Sequence, residues 1–133
     1  MITLHHTHLM ATDIDSTIAF WHDAFGAEVA GDLTFAGARN VFMRVGSGRL
    51  HLYDQPPRQV GQGTVHHLGV QTDDLDGLVA HLREMGVSVT DVRRDPAGAY
   101  AMAEAPDGLL VELFEPDRDA VPEELREFFG LAD

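Results

Sequence analysis

Cysteine is absent from this 133-residue chain, which excludes disulfides, thiolate zinc sites and cysteine nucleophiles. Lysine is absent too: all nine basic residues are arginine, set against 22 acids, for a formal net charge of −13. A surface so acidic repels phosphate backbones and anionic lipid, which argues against nucleic-acid and membrane-surface roles. No apolar run approaches the roughly 18 residues of a membrane span. The start, Met1-Ile2-Thr3-Leu4-His5-His6, lacks the basic and then apolar layout of a signal peptide, so a cytoplasmic location is expected. Hydrophobic residues at 44% and charged residues at 23% are ordinary globular values, which excludes wholesale disorder.

What the chain does have is histidine, eight in all, a rich supply of imidazole where thiolates are missing. It also has an internal repeat. Leu4-His5-His6-Thr7-His8-Leu9-Met10-Ala11-Thr12-Asp13-Ile14 is similar to Val65-His66-His67-Leu68-Gly69-Val70-Gln71-Thr72-Asp73-Asp74-Leu75. His6 and His67 are 61 positions apart, and so are Asp13 and Asp74, and His51 and Glu112. Several matches at one offset, at polar residues among apolar ones, point to duplication.

Each half predicts the same order of elements. Strand 2–11 precedes a helix over 15–25, with Asp13 or Asp15 as its cap, Ile14, Ile18, Trp21 and Phe25 as its apolar stripe, and Gly26 at its end. Strands at 27–31, 39–45 and 49–54 follow. The second half predicts strand 65–72, a helix over 74–85 carrying Leu75, Leu78, Leu82 and Met85, and strands near 87–94, 99–104 and 109–115. Pro106-Asp107-Gly108 marks a turn. Residues 1–133 thus read as one α+β domain of two tandem βαβββ modules: module one at 1–55, a linker at 55–64, module two at 65–116 and a tail at 117–133. In the tail, Pro122 opens a short helix over 122–129 with Leu125, Phe128 and Phe129 on its edge.

Side chains alternate along a strand. Leu9, Ala11, Leu68 and Val70 form the face turned to the helices, leaving His6 and His67 on the other. In the fourth strand of each module Leu50 and Leu52 point one way and His51 the other; Val111 and Leu113 point one way and Glu112 the other. A lone carboxylate on an inner sheet face is costly to bury, and a divalent cation held with three imidazoles removes that cost. Modules related by a pseudo-twofold axis would make His6, His51, His67 and Glu112 a ligand set. His8 shares the face of His6 one pleat along and reads as packing, or as a neighbour of the ligands or substrate. His5 and His66 read as structural, His22 and His81 as exposed helix residues, and Phe20, Trp21 and Phe25 as core. Tyr53, Met102 and Phe114 are candidates to line a pocket, and Arg44, Arg49, Arg93 and Arg94 to hold an anion.

These motifs resemble the vicinal oxygen chelate superfamily, the group of glyoxalase I, bleomycin-resistance proteins and extradiol dioxygenases. The resemblance spans about 2–116. It is most specific at His67-Leu68-Gly69-Val70-Gln71-Thr72-Asp73-Asp74-Leu75 and at Ala105-Pro106-Asp107-Gly108-Leu109-Leu110-Val111-Glu112-Leu113-Phe114-Glu115-Pro116. It implies a cupped mixed sheet and metal positions at His6, His51, His67 and Glu112. His51 departs from the Glu usual at that position in glyoxalase I and the Gln common in methylmalonyl-CoA epimerase, while keeping a group able to bind metal. One divalent ion per site is expected, Zn, Ni, Fe or Co, since three nitrogens and a carboxylate suit any of them. The resemblance further implies a small-molecule substrate with vicinal oxygens, a homodimer, and a glyoxalase I-like lyase or isomerase that stabilises an enediolate or enolate, with Glu112 as catalytic base. The alternatives are an Fe(II) ring-cleaving dioxygenase and a non-catalytic binding protein of the bleomycin-resistance type. The sequence leaves open whether the modules pair within one chain or across a dimer.

Overall fold

The computed structural model describes residues 1–60, 65–96 and 98–131. Of the expected linker, residues 61–64 lie outside the described residues, as do residues 132–133 of the tail. The chain divides into two compact units, Met1–Gly61 with Ala105–Gly108, and Gln62–Glu104 with Leu109–Asp133.

Unit one contains strand β1 (Thr7–Met10), helix α1 (Ile14–Phe25) and strands β2 (Glu28–Phe35), β3 (Ala38–Val45) and β4 (Gly48–Tyr53). The strands form one sheet in the order β1-β4-β3-β2, with β1 parallel to β4 and the other pairs antiparallel. Unit two repeats the plan with β5 (Leu68–Gln71), α2 (Leu75–Glu84), β6 (Arg93–Asp95), β7 (Gly98–Glu104) and β8 (Leu110–Pro116), ordered β5-β8-β7-β6. These are the two βαβββ modules of the expected α+β fold. Among the described residues, no helix is long and apolar enough to cross a membrane.

The helices begin and end for local reasons. The Asp13 carboxylate accepts from the Ser16 N–H at 3.1 Å and caps α1; Asp74 does the same for α2 through the Gly77 N–H at 3.0 Å. Gly26, at φ 68°, closes α1 by donating to the His22 carbonyl at 2.9 Å, a left-handed turn that glycine makes without strain. The buried stripe of α1 is Ile14, Thr17, Trp21 and Ala24, so the expected Ile18 and Phe25 are only half-buried. Thr17 tolerates burial because its hydroxyl donates to the Asp13 carbonyl at 3.2 Å. In α2 the buried residues are Leu75, Val79 and Leu82; Leu78 is half-buried and Met85 reaches solvent.

Strand alternation separates core from working face. Val41, Met43, Leu50 and Leu52 are buried on one face of the first sheet, and Ala99, Ala101, Ala103, Val111 and Leu113 on one face of the second. Five elements differ from expectation, two of them in unit two, where strand 65–72 shortens to Leu68–Gln71 and strand 87–94 to Arg93–Asp95. Strand 2–11 shortens to Thr7–Met10, since in the Thr7↔Leu50 register the residues before His5 run past the start of β4. Strand 27–31 lengthens to Phe35, through an irregularity between Val29 and Gly31 that breaks the alternation. The helix over 122–129 is a single 3-10 turn at Glu123–Leu125, too short a segment for a stable helix by itself; Phe129 packs edge-on against Phe114 while Phe128 is exposed. One turn was not placed by the repeat: Pro106–Gly108 groups with unit one, where the Asp107 carboxylate accepts from the Thr12 N–H at 3.1 Å.

Candidate metal centre

In unit one the parallel pairing of β1 with β4 sets His8 beside His51 and Met10 beside Tyr53. His6 precedes β1 on the same face, and its ring centroid lies 5.7 Å from that of His51. The contact of His8 with His51 is tighter, with centroids 4.4 Å apart and Nδ1 to Nδ1 3.1 Å. The imidazoles of His6, His8 and His51 each offer a nitrogen, all within 4.8 Å of one another. Phe42, opposite His51 on β3, stacks on its ring at 4.4 Å.

Asn40 decides which nitrogen of His51 is available. Its amide nitrogen donates to the carbonyls of Phe35 at 3.1 Å and Ala38 at 3.0 Å. Carbonyls only accept, so the amide oxygen must face His51, whose Nε2 lies 2.7 Å away. Nε2 therefore carries the proton and donates, and Nδ1 presents a lone pair toward His8. Asn40 is 1% exposed, and the fixed partner is what makes its burial tolerable. Burial first, then the charges of His8 and His6, hold the His51 imidazole below the usual histidine range. A neutral imidazole with a directed lone pair is what a ligand requires.

Unit two holds the other expected pair. His67 Nε2 lies 3.5 Å from a Glu112 carboxylate oxygen, both side chains about a third exposed. The preceding histidine touches each leading one alike: His5 to His6 and His66 to His67 meet Nδ1 to Nδ1 at 3.0 and 2.9 Å. That contact engages Nδ1 of His6 and of His67. His5 and His66, expected to be structural, thus steer their neighbours. The structure brings His6 to His51 in one unit and His67 to Glu112 in the other.

Other expectations sort by position. His22 and His81 are exposed on their helices, Trp21 is buried, and Phe20 and Phe25 are half-buried. Tyr53 and Phe114 lie on the working faces; the Tyr53 hydroxyl donates to the Ala36 carbonyl at 2.8 Å. Arg94 reaches Asp76 at 3.3 Å, and Arg49 reaches the His5 carbonyl at 3.4 Å. A cavity of about 490 Å³ in unit two is lined by Gln71, Asp73, Arg94, Glu115 and Arg118 among others, but by neither His67 nor Glu112, so volume alone does not mark the chemistry. Sequence reading missed Asn40 and Phe42 as partners of His51. An amide just before the apolar run Val41-Phe42-Met43 is the signal that points to Asn40.

Comparison with known proteins follows this geometry. A sequence model described as Glyoxalase/Bleomycin resistance protein/Dioxygenase superfamily matches residues 3–113. Uncharacterized protein YaeR of Escherichia coli (strain K12) is 30% identical, over 84% of this chain and 95% of its own. Crystal structures that share the fold include two with a described ligand or binding role. A point mutant of FosX, a fosfomycin resistance protein from Listeria monocytogenes, in complex with Mn(II) and dihydroxypropylphosphonic acid, has a TM-score of 0.77 at 21% identity, covering 90% of this chain and 97% of its own. TnmS3, an antibiotic binding protein from Streptomyces sp. CB03234, has a TM-score of 0.72 at 26% identity, covering 88% of this chain and 99% of its own.

Proposed function

The chain belongs to the glyoxalase/bleomycin resistance protein/dioxygenase superfamily, and from that premise we propose that it is a metal-dependent lyase or isomerase of the glyoxalase I type. The proposed ligands are His6 and His51 of unit one and His67 and Glu112 of unit two, with a homodimer as the working form and a small molecule with vicinal oxygens as substrate. The observation that carries the reading is the pairing of imidazole with imidazole in one sheet and imidazole with carboxylate in the other, at equivalent positions of a duplicated fold.

The donor set fits a divalent transition ion. His51 has its proton on Nε2 and turns the Nδ1 lone pair to the working face, and His67 Nε2 faces the Glu112 carboxylate. When bound, the ion supplies Lewis-acid stabilisation of negative charge on two neighbouring substrate oxygens. Glu112 then moves the proton. Its carboxylate would take the proton from the carbon bearing one oxygen and return it to the adjacent carbon, while the hydroxyl proton passes from the first oxygen to the second, so the step is a net isomerisation. Phe42, stacked on His51, gives one wall of the face an apolar surface.

The test is metal-dependent loss of a hemithioacetal by the metal-loaded protein. Glu112→Gln should lower the rate by about 10²-fold or more, and unchanged turnover would remove Glu112 as the base. Fe²⁺-dependent O₂ uptake with a catechol would replace this reading with ring cleavage. Tight small-molecule binding with neither metal nor turnover would replace it with a binding protein, as TnmS3 is described.

A further inference from the structure

We infer that His8 is a further metal ligand, so that unit one by itself offers a divalent transition ion three imidazoles, His6, His8 and His51. The inference rests on the metal reading of His6 and His51, and on neither His67, Glu112 nor any turnover.

The repeat makes His8 conspicuous. Its counterpart at the same 61-residue offset is Gly69. His8 pairs with His51 across β1 and β4, and Gly69 pairs with Glu112 across β5 and β8. The duplicated scaffold thus offers an imidazole beside the fourth-strand ligand in unit one and no side chain at all in unit two. A residue needed only to fill that position has a small counterpart in the same chain, and His8 instead turns a ring nitrogen to His51.

The nitrogens stand where an ion would want them. Ligand nitrogens about 2.0–2.1 Å from a common ion lie roughly 3–3.4 Å apart at neighbouring positions, and His8 Nδ1 is 3.1 Å from His51 Nδ1. Two bare lone pairs at that distance repel, so a positive centre must lie between them. Because Asn40 draws the His51 proton to Nε2, His51 Nδ1 is the bare one and the proton between the rings belongs to His8. A divalent cation replaces that single proton with a stronger charge shared by both rings. A ring nitrogen of His6 completes the set, with all three donor atoms within 4.8 Å of one another. Three neutral nitrogens favour Zn²⁺, Co²⁺, Ni²⁺ or Cu²⁺ over Mg²⁺ or Ca²⁺, which take oxygen.

The experiment is Co²⁺ titration of the full-length, chelator-treated protein, followed by calorimetry and by the visible absorption of bound Co²⁺, with circular dichroism as the check on folding. The variants are His67→Ala/Glu112→Ala, which removes the ligands of unit two, and the same pair with His8→Ala or His8→Gln. The double variant should still take up Co²⁺, and either change at His8 should then weaken binding at least about 10-fold. His8→Gln keeps the bulk of the side chain, so a loss seen in both His8 variants, with the fold intact, is a loss of the ligand. Uptake by the wild type but not by the double variant would overturn the three-imidazole site and leave the four-ligand reading standing. Equal affinity with and without His8 would overturn it as well. No Co²⁺ uptake by the wild type would end both readings.

Discussion

His51 Nε2 lies 2.7 Å from the amide oxygen of Asn40, a buried residue whose amide nitrogen is committed to two backbone carbonyls. Neither end of that amide is free to turn, so the proton of His51 is held on one nitrogen. The hydrogen bond is a device for aiming a lone pair, built from a buried residue on the neighbouring strand.

Asn40→Leu removes that device. It leaves two carbonyls and one imidazole N–H without partners, and should destabilise the fold by about 2–4 kcal/mol. Metal affinity should fall about 10–100-fold. The direct readout is ¹⁵N NMR of His51 in the wild type, which should show a bare Nδ1 and a protonated Nε2. A proton on Nδ1 would contradict the assignment.

The His51 imidazole also sets a pH dependence. Burial, then the charges of His8 and His6, place its folded pKa below the ordinary value of 6.5. Between those two values the unfolded chain binds more protons, so stability falls as pH drops. The contribution is complete above about pH 6.5 and is lost as pH falls through the folded value. Melting temperatures of the metal-free protein, measured from about pH 8 to about pH 4.5, should fall more steeply for the wild type than for His51→Gln. Parallel curves would show that His51 is not the group responsible.

The hairpin between β2 and β3 turns on Ala36 and Gly37, with φ of 52° and 82°. Both central residues lie in the left-handed region, which glycine accepts and alanine resists. Ala36→Asn should therefore stabilise the protein by about 0.5–1 kcal/mol. Denaturant unfolding reads the change, and a destabilised variant would mean that the turn makes other demands on the Ala36 side chain.

Leu52 is fully buried on the strand that carries His51 and points to the opposite face. Leu52→Ala should cost about 2–5 kcal/mol. Calorimetry of the metal-free protein checks the size of the loss. A cost below about 1 kcal/mol would show that the site collapses around the missing atoms, contrary to the close packing of a sheet interior.

Much of this was legible in the order of residues. The common offset of His6 and His67, Asp13 and Asp74, and His51 and Glu112 announced a duplicated βαβββ unit, because a strand period and a helix period each write their faces directly into the sequence. The same alternation separated His51 from Leu50 and Leu52, and Glu112 from Val111 and Leu113. What the sequence could not weigh was the partner across the sheet. Pairing register depends on where neighbouring strands start and stop, which no single strand encodes. Register placed His8 against His51, and the β3 to β4 pairing brought Asn40 and Phe42 to the same face. It also shortened the first strand and lengthened the second. The residue types available for metal chemistry were thus a property of the chain. Which nitrogen carries a proton, and which ring stands beside which, came only from strands lying side by side, because hydrogen bonds and stacking act over a few ångströms in space whatever the distance along the chain.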